Sequence, residues 1–183
     1  MLSKPSSLLL LICLSPLFIV VVLILILDDG FPIFFKQNRV GLNNTHFWMF
    51  KFRTMKKDTP DIPTHLVKDG ASLYTSSGPF LRKLSLDELP QLINIVKGEM
   101  IFIGPRPALY NQDDLIELRT QAGVHSLMPG VTGWGQVNGR DQLSIPDKVK
   151  MDVYYLKNKS LWLDIKILFM TVVKVFKTEG VSY

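Results

Sequence analysis

Most of the common catalytic signatures are missing from this 183-residue chain. It has no P-loop lysine motif, no G-x-G-x-x-G dinucleotide fingerprint and no Cys/His spacing suited to zinc. His46, His65 and His125 are scattered and no Gly-x-Ser-x-Gly elbow occurs, which argues against a Ser-His hydrolase. No Asp-x-Asp is present, so the metal motif of one large glycosyltransferase class is absent. Cysteine is reduced to Cys13, inside an apolar run, which rules out an intrachain disulfide framework and fits a reducing setting. There is no internal repeat.

What is present is apolar and basic. The length suits one domain with a real core. Apolar residues make up 47% of the chain and its formal charge is +5. Mean hydropathy is +0.20, high for a wholly soluble protein. A basic balance suits anionic partners, among them phosphorylated small molecules and anionic lipid, and by itself does not favour nucleic acid.

The apolar excess concentrates in Leu8 to Leu27, broken only by Ser15-Pro16. At 1.5 Å per residue, about 20 residues reach roughly 30 Å, enough for a bilayer core. Asp28-Asp29-Gly30 is no small-residue cleavage site, so a signal peptide is not expected. Pro16 removes the hydrogen bond to the Ile12 carbonyl, a loss of about 3 kcal/mol in isolation, and the Ser15 hydroxyl is placed to repay part of it. Hydropathy alone favours a kinked spanning helix over a re-entrant one. Lys4 precedes the run, whereas Lys36, Arg39, Lys51, Arg53, Lys56 and Lys57 follow it, which puts the bulk of the chain on the cytoplasmic side.

Residues Pro32 to Met55 read as aromatic strands about a Gly41-Leu42-Asn43-Asn44 turn, with Lys51 and Arg53 on one face. Lys56 to Gly78 reads as a long loop. Leu86, Leu89, Leu92, Ile93 and Val96 have helical spacing, ended by Lys97-Gly98. Ser85 stands as N-cap and Glu88 closes a capping box, with Pro90 allowing the start to slip towards Asp87. Met100 to Ile103 predicts a short strand running into Gly104-Pro105-Arg106-Pro107, and Asp113 to Ala122 a polar helix. Residues 129–140 are Gly-rich and free of acids. Ser160 to Thr178 predicts a helix with a wide apolar face, its polar positions Ser160, Asp164, Thr171, Lys174 and Thr178 near one stripe. This suits a core helix packed on the sheet or an interfacial helix, and the apolar N-terminal run favours the interface.

The chemistry left by these exclusions is Asp87-Glu88 with cations at Lys51, Arg53, Arg82, Arg106 and Arg140. That set suits phosphoryl transfer, in which catalysis is mostly positioning and charge neutralisation. A carboxylate can itself attack phosphorus. Neighbours on a helix point about 100° apart, so one carboxylate would attack while the other holds a metal. A nucleotide-sugar binding module or a lipid-phosphate hydrolase would use the same charges.

The residues in order resemble the small monotopic phosphoglycosyl transferases of the bacterial sugar transferase family. The resemblance runs through Ser15-Pro16, Phe35-Lys36-Gln37-Asn38-Arg39-Val40-Gly41, Lys51-Phe52-Arg53-Thr54-Met55, Ser85-Leu86-Asp87-Glu88-Leu89-Pro90-Gln91-Leu92, Lys97-Gly98-Glu99-Met100 and Gly104-Pro105-Arg106-Pro107. It continues through Pro129-Gly130-Val131-Thr132-Gly133, Gln136-Val137-Asn138-Gly139-Arg140 and Asp152-Val153-Tyr154-Tyr155. It implies an α/β (α+β) monotopic membrane protein. Residues 1–29 would form a re-entrant helix broken at Ser15 and Pro16, 30–159 a cytosolic catalytic domain, and 160–183 an interfacial helix and tail.

The family moves a phosphosugar from a UDP-sugar to undecaprenyl phosphate at the cytoplasmic face of the bacterial inner membrane, releasing UMP. The resemblance makes Asp87 the nucleophile that carries the phosphosugar, and Glu88, with Asp87, the Mg²⁺ site. It places Lys51, Arg53, Arg82, Arg106, Pro107, Gln136, Asn138 and Arg140 among the substrate-binding residues. The start before the apolar run is shorter and less basic than the family's usual one. The end at Gly180-Val181-Ser182-Tyr183 is closer to capsule and exopolysaccharide initiators than to N-glycosylation members, which points to an N-acetylated UDP-amino sugar.

Overall fold

The computed structural model describes residues 3–57, 59, 73–139 and 143–177. Most of the loop expected over 56–78 lies outside these residues, and so does Arg140. Helix α1 (Ser3–Cys13) meets α2 (Ser15–Asp29) at the Ser15-Pro16 break, and the two arms are bent by 63°. Neither helix is long and apolar enough to cross a membrane. The bend follows from local chemistry. Pro16 has no N–H for the Ile12 carbonyl, and the Ser15 hydroxyl donates to that oxygen at 2.7 Å instead. Backbone bonds from Leu14 to Leu10 (2.8 Å) and from Phe18 to Leu14 (2.9 Å) carry the chain through the corner.

The bent α1–α2 pair packs on the rest of the chain through Leu11, Leu14, Val21 and Leu25. Leu11 and Leu14 meet Phe47, Met49, Leu92, Ile95 and Met100. Val21 and Leu25 are buried with Phe52 and Leu81. Leu9, Ile12, Ile19, Val20, Leu23 and Leu27 point outwards.

Strands β1 (Phe34–Val40) and β2 (His46–Phe52) form an antiparallel hairpin in which Phe35 pairs with Lys51. Side chains alternate, so Phe47, Met49 and Lys51 share one face and Phe52 takes the other. Both faces are covered, the first by α4 (Gln91–Lys97) and α1, the second by α2. Ile95 on α4 is fully buried, a contribution of about 1.5–3 kcal/mol for a side chain of its size. Asn94 then fixes α4 against β2 by continuing the strand's hydrogen bonding. Its Oδ1 accepts from Phe50 N at 3.0 Å, and its Nδ2 donates to Trp48 O and to Glu99 Oε2, each at 2.7 Å. Gly98 ends α4 in the left-handed region, as Lys97-Gly98 predicts.

The capping box does not form. Ser85 adopts φ +55° with no side-chain cap bond, a 3-10 turn occupies Leu86–Glu88, and the α-helix begins only at Gln91. The reason is Pro90, which has no N–H for the Leu86 carbonyl. Leu89 N takes that carbonyl instead, at 3.2 Å, and tightens the turn.

Helix α3 (Gly78–Lys83) precedes this turn. Strand β3 (Ile101–Ile103) pairs in parallel with β4 (Gly130–Thr132), and α5 (Asp113–Gln121) lies between them in sequence. A Cβ on Gly130 would stand 2.1 Å from Gly104 N, and one on Gly133 2.1 Å from Gly104 O. At Gly130 and Gly133 the glycine is therefore set by backbone approaching backbone.

Helices α6 (Trp134–Val137), α7 (Ile145–Asn158) and α8 (Leu161–Lys177) complete the mixed helix-and-sheet domain. The polar stripe of α8 faces inwards: Asp164 accepts from Tyr155 Oη at 2.8 Å, and Thr171 Oγ1 lies 2.7 Å from Thr132 Oγ1. Ile167 is buried beside this stripe, while Leu161, Trp162, Ile165, Leu168, Phe169 and Val172 are exposed along the opposite side.

Candidate active site

Three elements converge on the 3-10 turn. Strand β2 brings Lys51, the last turn of α3 brings Arg82, and the loop after β3 brings Arg106. Asp87 is buried within the turn, 5% exposed. Burial pushes its carboxyl above the ordinary aspartate range and outweighs the nearby cations. Lys51 opposes the rise most strongly, neighbouring Glu88 adds to it, and Arg82 and Arg106 oppose it. No α-helix N-terminus lies at the two carboxylates to favour their ionised form, because α4 starts three residues beyond Glu88.

Glu88 is the hub of the ion pairs. Its Oε1 accepts from Lys51 Nζ at 3.0 Å and from Arg106 Nη1 and Nη2 at 3.2 and 3.3 Å. Burial holds the Lys51 ammonium below the ordinary lysine range, even with Glu88 and Asp87 favouring the charged form. Arg82 donates to Tyr74 Oη and lies 5.0 Å from the Tyr74 ring centroid.

Arg106 owes its position to the backbone around it. Two prolines deprive residues 105 and 107 of N–H donors, so this loop is held by its carbonyls. Four consecutive oxygens each have a donor: Pro105 O from Gly130 N (2.9 Å), Arg106 O from Arg119 Nη1 (2.9 Å), Pro107 O from Arg39 Nη1 (3.0 Å) and Ala108 O from Val40 N (3.0 Å). Arg119 is locked in turn by Asp152, whose Oδ2 accepts from Nε at 2.9 Å and Nη2 at 2.6 Å. Burial raises the Asp152 carboxyl against the pull of Arg119.

The other expected site residues that are described bond to groups outside this cluster. Arg53 is buried, but its partners are Asp29 and Gly30 at the end of α2. Gln136 of α6 donates to Val131 O in β4 at 3.3 Å, and Asn138 donates to Trp134 O in α6 at 2.7 Å. Pro107 serves through the carbonyl that Arg39 holds. Sequence reasoning passed over Tyr74 and Arg119 and gave Arg39 and Asp152 no individual role. Only a tertiary contact reveals Arg119, 33 residues from its partner.

For a metal, the donors at the turn are the two adjacent carboxylates. Among the described residues, no group of three or more His, Cys, Asp or Glu side chains gathers anywhere. This set fits Mg²⁺, a hard ion commonly held by one or two carboxylates with substrate phosphate oxygens and water completing its shell. It does not suit a closed zinc-type site.

Residues 3–178 match the family model for bacterial sugar transferases. An uncharacterized sugar transferase of Bacillus subtilis, EpsL, is 44% identical over 179 residues, covering 97% of this chain and 86% of its own length. The undecaprenyl-phosphate glucose phosphotransferase of Komagataeibacter xylinus is 40% identical, covering 91% of this chain but 34% of that longer protein. In Aeromonas hydrophila, a UDP-N-acetylgalactosamine-undecaprenyl-phosphate N-acetylgalactosaminephosphotransferase is 38% identical over 86% of this chain and 38% of its own. With the match running through the hairpin, the carboxylate turn and the terminal helices alike, this chain belongs to the bacterial sugar transferase family.

Proposed function

We propose that the chain transfers a phosphosugar from a UDP-sugar to undecaprenyl phosphate, releasing UMP and forming undecaprenyl-diphosphate-sugar. The observation that carries this reading is a buried carboxylate, Asp87, surrounded by Lys51, Arg82 and Arg106 beside a second carboxylate. A polar carboxylate is costly to bury unless charge on a ligand or neighbour compensates, and phosphates bring the complementary charge for three cations.

In the first half-reaction, an Asp87 carboxylate oxygen attacks the phosphorus that bears the sugar. The bond from that phosphorus to the bridging oxygen breaks, and UMP leaves with the electron pair. In the second, a phosphate oxygen of undecaprenyl phosphate attacks the same phosphorus and the Asp87 carboxylate departs. Lys51, Arg82 and Arg106 hold the phosphate oxygens throughout. Glu88, with Asp87, would hold Mg²⁺, which supplies further neutralisation of phosphate charge.

The lipid acceptor requires the site to lie at a membrane. Supporting this are the bent α1–α2 pair with its outward apolar side and the exposed apolar stripe of α8. The hairpin is accordingly read as re-entrant (residues 1–29), α8 and the tail (160–183) as interfacial, and residues 30–159 as the catalytic part on the cytoplasmic face of the inner membrane. For the sugar, the reading is an N-acetylated amino sugar. Glucose and N-acetylgalactosamine both occur in the names of relatives, so a panel of UDP-sugars decides between them.

The test is UMP release by the chain in nanodiscs with Mg²⁺. Release is expected only with a suitable UDP-sugar together with undecaprenyl phosphate, and Asp87→Asn is expected to abolish it. Undiminished release by Asp87→Asn would remove the covalent route.

A further inference from the structure

Helix α2 ends on two acids, Asp28 and Asp29, with no basic residue in its last turn. Acids at a helix C-terminus oppose the helix dipole, so something else must use them. Asp28 turns away from its own helix. Its Oδ1 accepts from Ser76 N at 3.2 Å, and its Oδ2 accepts from Ser77 N at 2.7 Å and Ser77 Oγ at 2.6 Å. These donors stand directly before α3, the helix whose last turn carries Arg82.

The neighbouring residues grip the other arm of the site. Arg53 Nη2 lies 2.9 Å from Asp29 Oδ2, and donates to Asp29 O at 3.2 Å and Gly30 O at 2.8 Å. Arg53 follows Lys51 by two residues. The two grips touch one another, since Thr75 N donates to Thr54 O at 3.2 Å, and a Cβ on Gly78 would stand 2.3 Å from that same oxygen.

We infer that Asp28 and Arg53 are positioning residues through which the seating of the α1–α2 hairpin sets where Arg82 and Lys51 stand beside Asp87. Neither residue contacts the carboxylate pair. Asp28 fixes the start of α3, which delivers Arg82, and Arg53 fixes the end of β2, which delivers Lys51. A displacement near 1 Å at such a cation costs roughly a hundredfold in rate. The catalytic half of this inference rests on the phosphosugar-transfer reading, and the clamp itself does not.

Two measurements on the full chain in nanodiscs test it. Amide exchange over residues 78–84 reads the clamp whatever the chain catalyses. Asp28→Ala is expected to speed it, and Asp28→Asn, which keeps a capping oxygen, to leave it near wild type. Unchanged exchange in Asp28→Ala overturns the clamp. A double-mutant cycle on UMP release reads the coupling. Asp28→Ala is expected to lower kcat/KM about tenfold with Arg82 present and less than about twofold in Arg82→Ala; equal losses in both backgrounds overturn it. Arg53→Lys is expected to lower kcat with the KM for UDP-sugar unchanged, and a rise in KM alone would make Arg53 a substrate ligand instead. If no UDP-sugar gives UMP, the transfer reading fails and the exchange result still decides the clamp.

Discussion

Lys51 Nζ stands 3.0 Å from Glu88 Oε1, and Arg106 reaches the same oxygen. One carboxylate oxygen thus fixes two cations that come from a strand and from a distant loop. Asp87, next in the chain to Glu88, receives their field without a direct ion pair to either among the bonds described. The two acids differ in their surroundings: Glu88 organises the cations, and Asp87 is buried among them.

Lys51→Met keeps the stem that packs in this site and removes the ammonium. Loss of a preorganised charge donor costs on the order of 10²–10³ in rate. Lys51 is also the strongest influence lowering the Asp87 carboxyl. The acid limb of the pH–rate profile should therefore move to higher pH in this variant. UMP release measured across pH would show both effects.

In the proposed mechanism Asp87 attacks as the carboxylate, and its proton affinity is raised above the ordinary value of 3.8. Lys51 works as the ammonium, and its proton is held less tightly than the ordinary value of 10.5 implies. The bell-shaped rate profile should be narrowed from both sides, with apparent constants that belong to the cluster.

The raised Asp87 value also affects stability. Its contribution is fully present below the unfolded pKa and is lost as pH rises through the folded one. Asp87→Asn removes that loss, so the inactive variant should melt higher than wild type at neutral pH. Thermal unfolding of both proteins at neutral and acidic pH checks this, and the difference should shrink as pH falls.

Much of this site is legible in sequence because its parts are local. Asp87 and Glu88 are adjacent, Lys51 alternates with aromatic neighbours, and Pro-Arg-Pro announces a rigid loop. The Ser15-Pro16 break is legible for the same reason, since the hydroxyl lies one residue from the proline whose lost bond it repays. The helix start was misplaced because two local signals conflict: the Ser85–Glu88 spacing asks for a capping box, and Pro90 withholds the N–H a continuous helix would need. Arg119 and Asp28 could not be read as braces, because each acts on a segment that only the tertiary fold brings near.

Arg119 and Asp152 form a buried pair, with side chains 12% and 5% exposed. Arg119→Met leaves the Asp152 carboxylate buried without its partner, and breaking such a pair costs about 3–5 kcal/mol. It also releases the Arg106 carbonyl. Stability in urea should fall by that amount, whereas Arg119→Met with Asp152→Leu should recover much of it. Activity should stay low in both variants, because neither restores the brace behind Arg106.

The bend at Ser15-Pro16 decides whether the hairpin returns to the side it entered. Ser15→Ala removes one hydrogen bond, a net loss of about 0.5–1.5 kcal/mol, and should keep the bend because Pro16 still lacks its N–H. Replacing both residues by Leu restores an uninterrupted ladder from Ser3 to Asp29. A straight helix of that length would reach about 40 Å, more than a bilayer core of roughly 30 Å requires. A tag at the N-terminus should be reachable from the cytoplasmic side in the wild type and in Ser15→Ala, and from the opposite side in the Ser15→Leu, Pro16→Leu variant. The straightened helix would also pull Asp28 and Asp29 from α3 and Arg53, so UMP release should fall with the change in topology. A wild-type tag reachable only from outside the cytoplasm would make the hairpin a spanning helix.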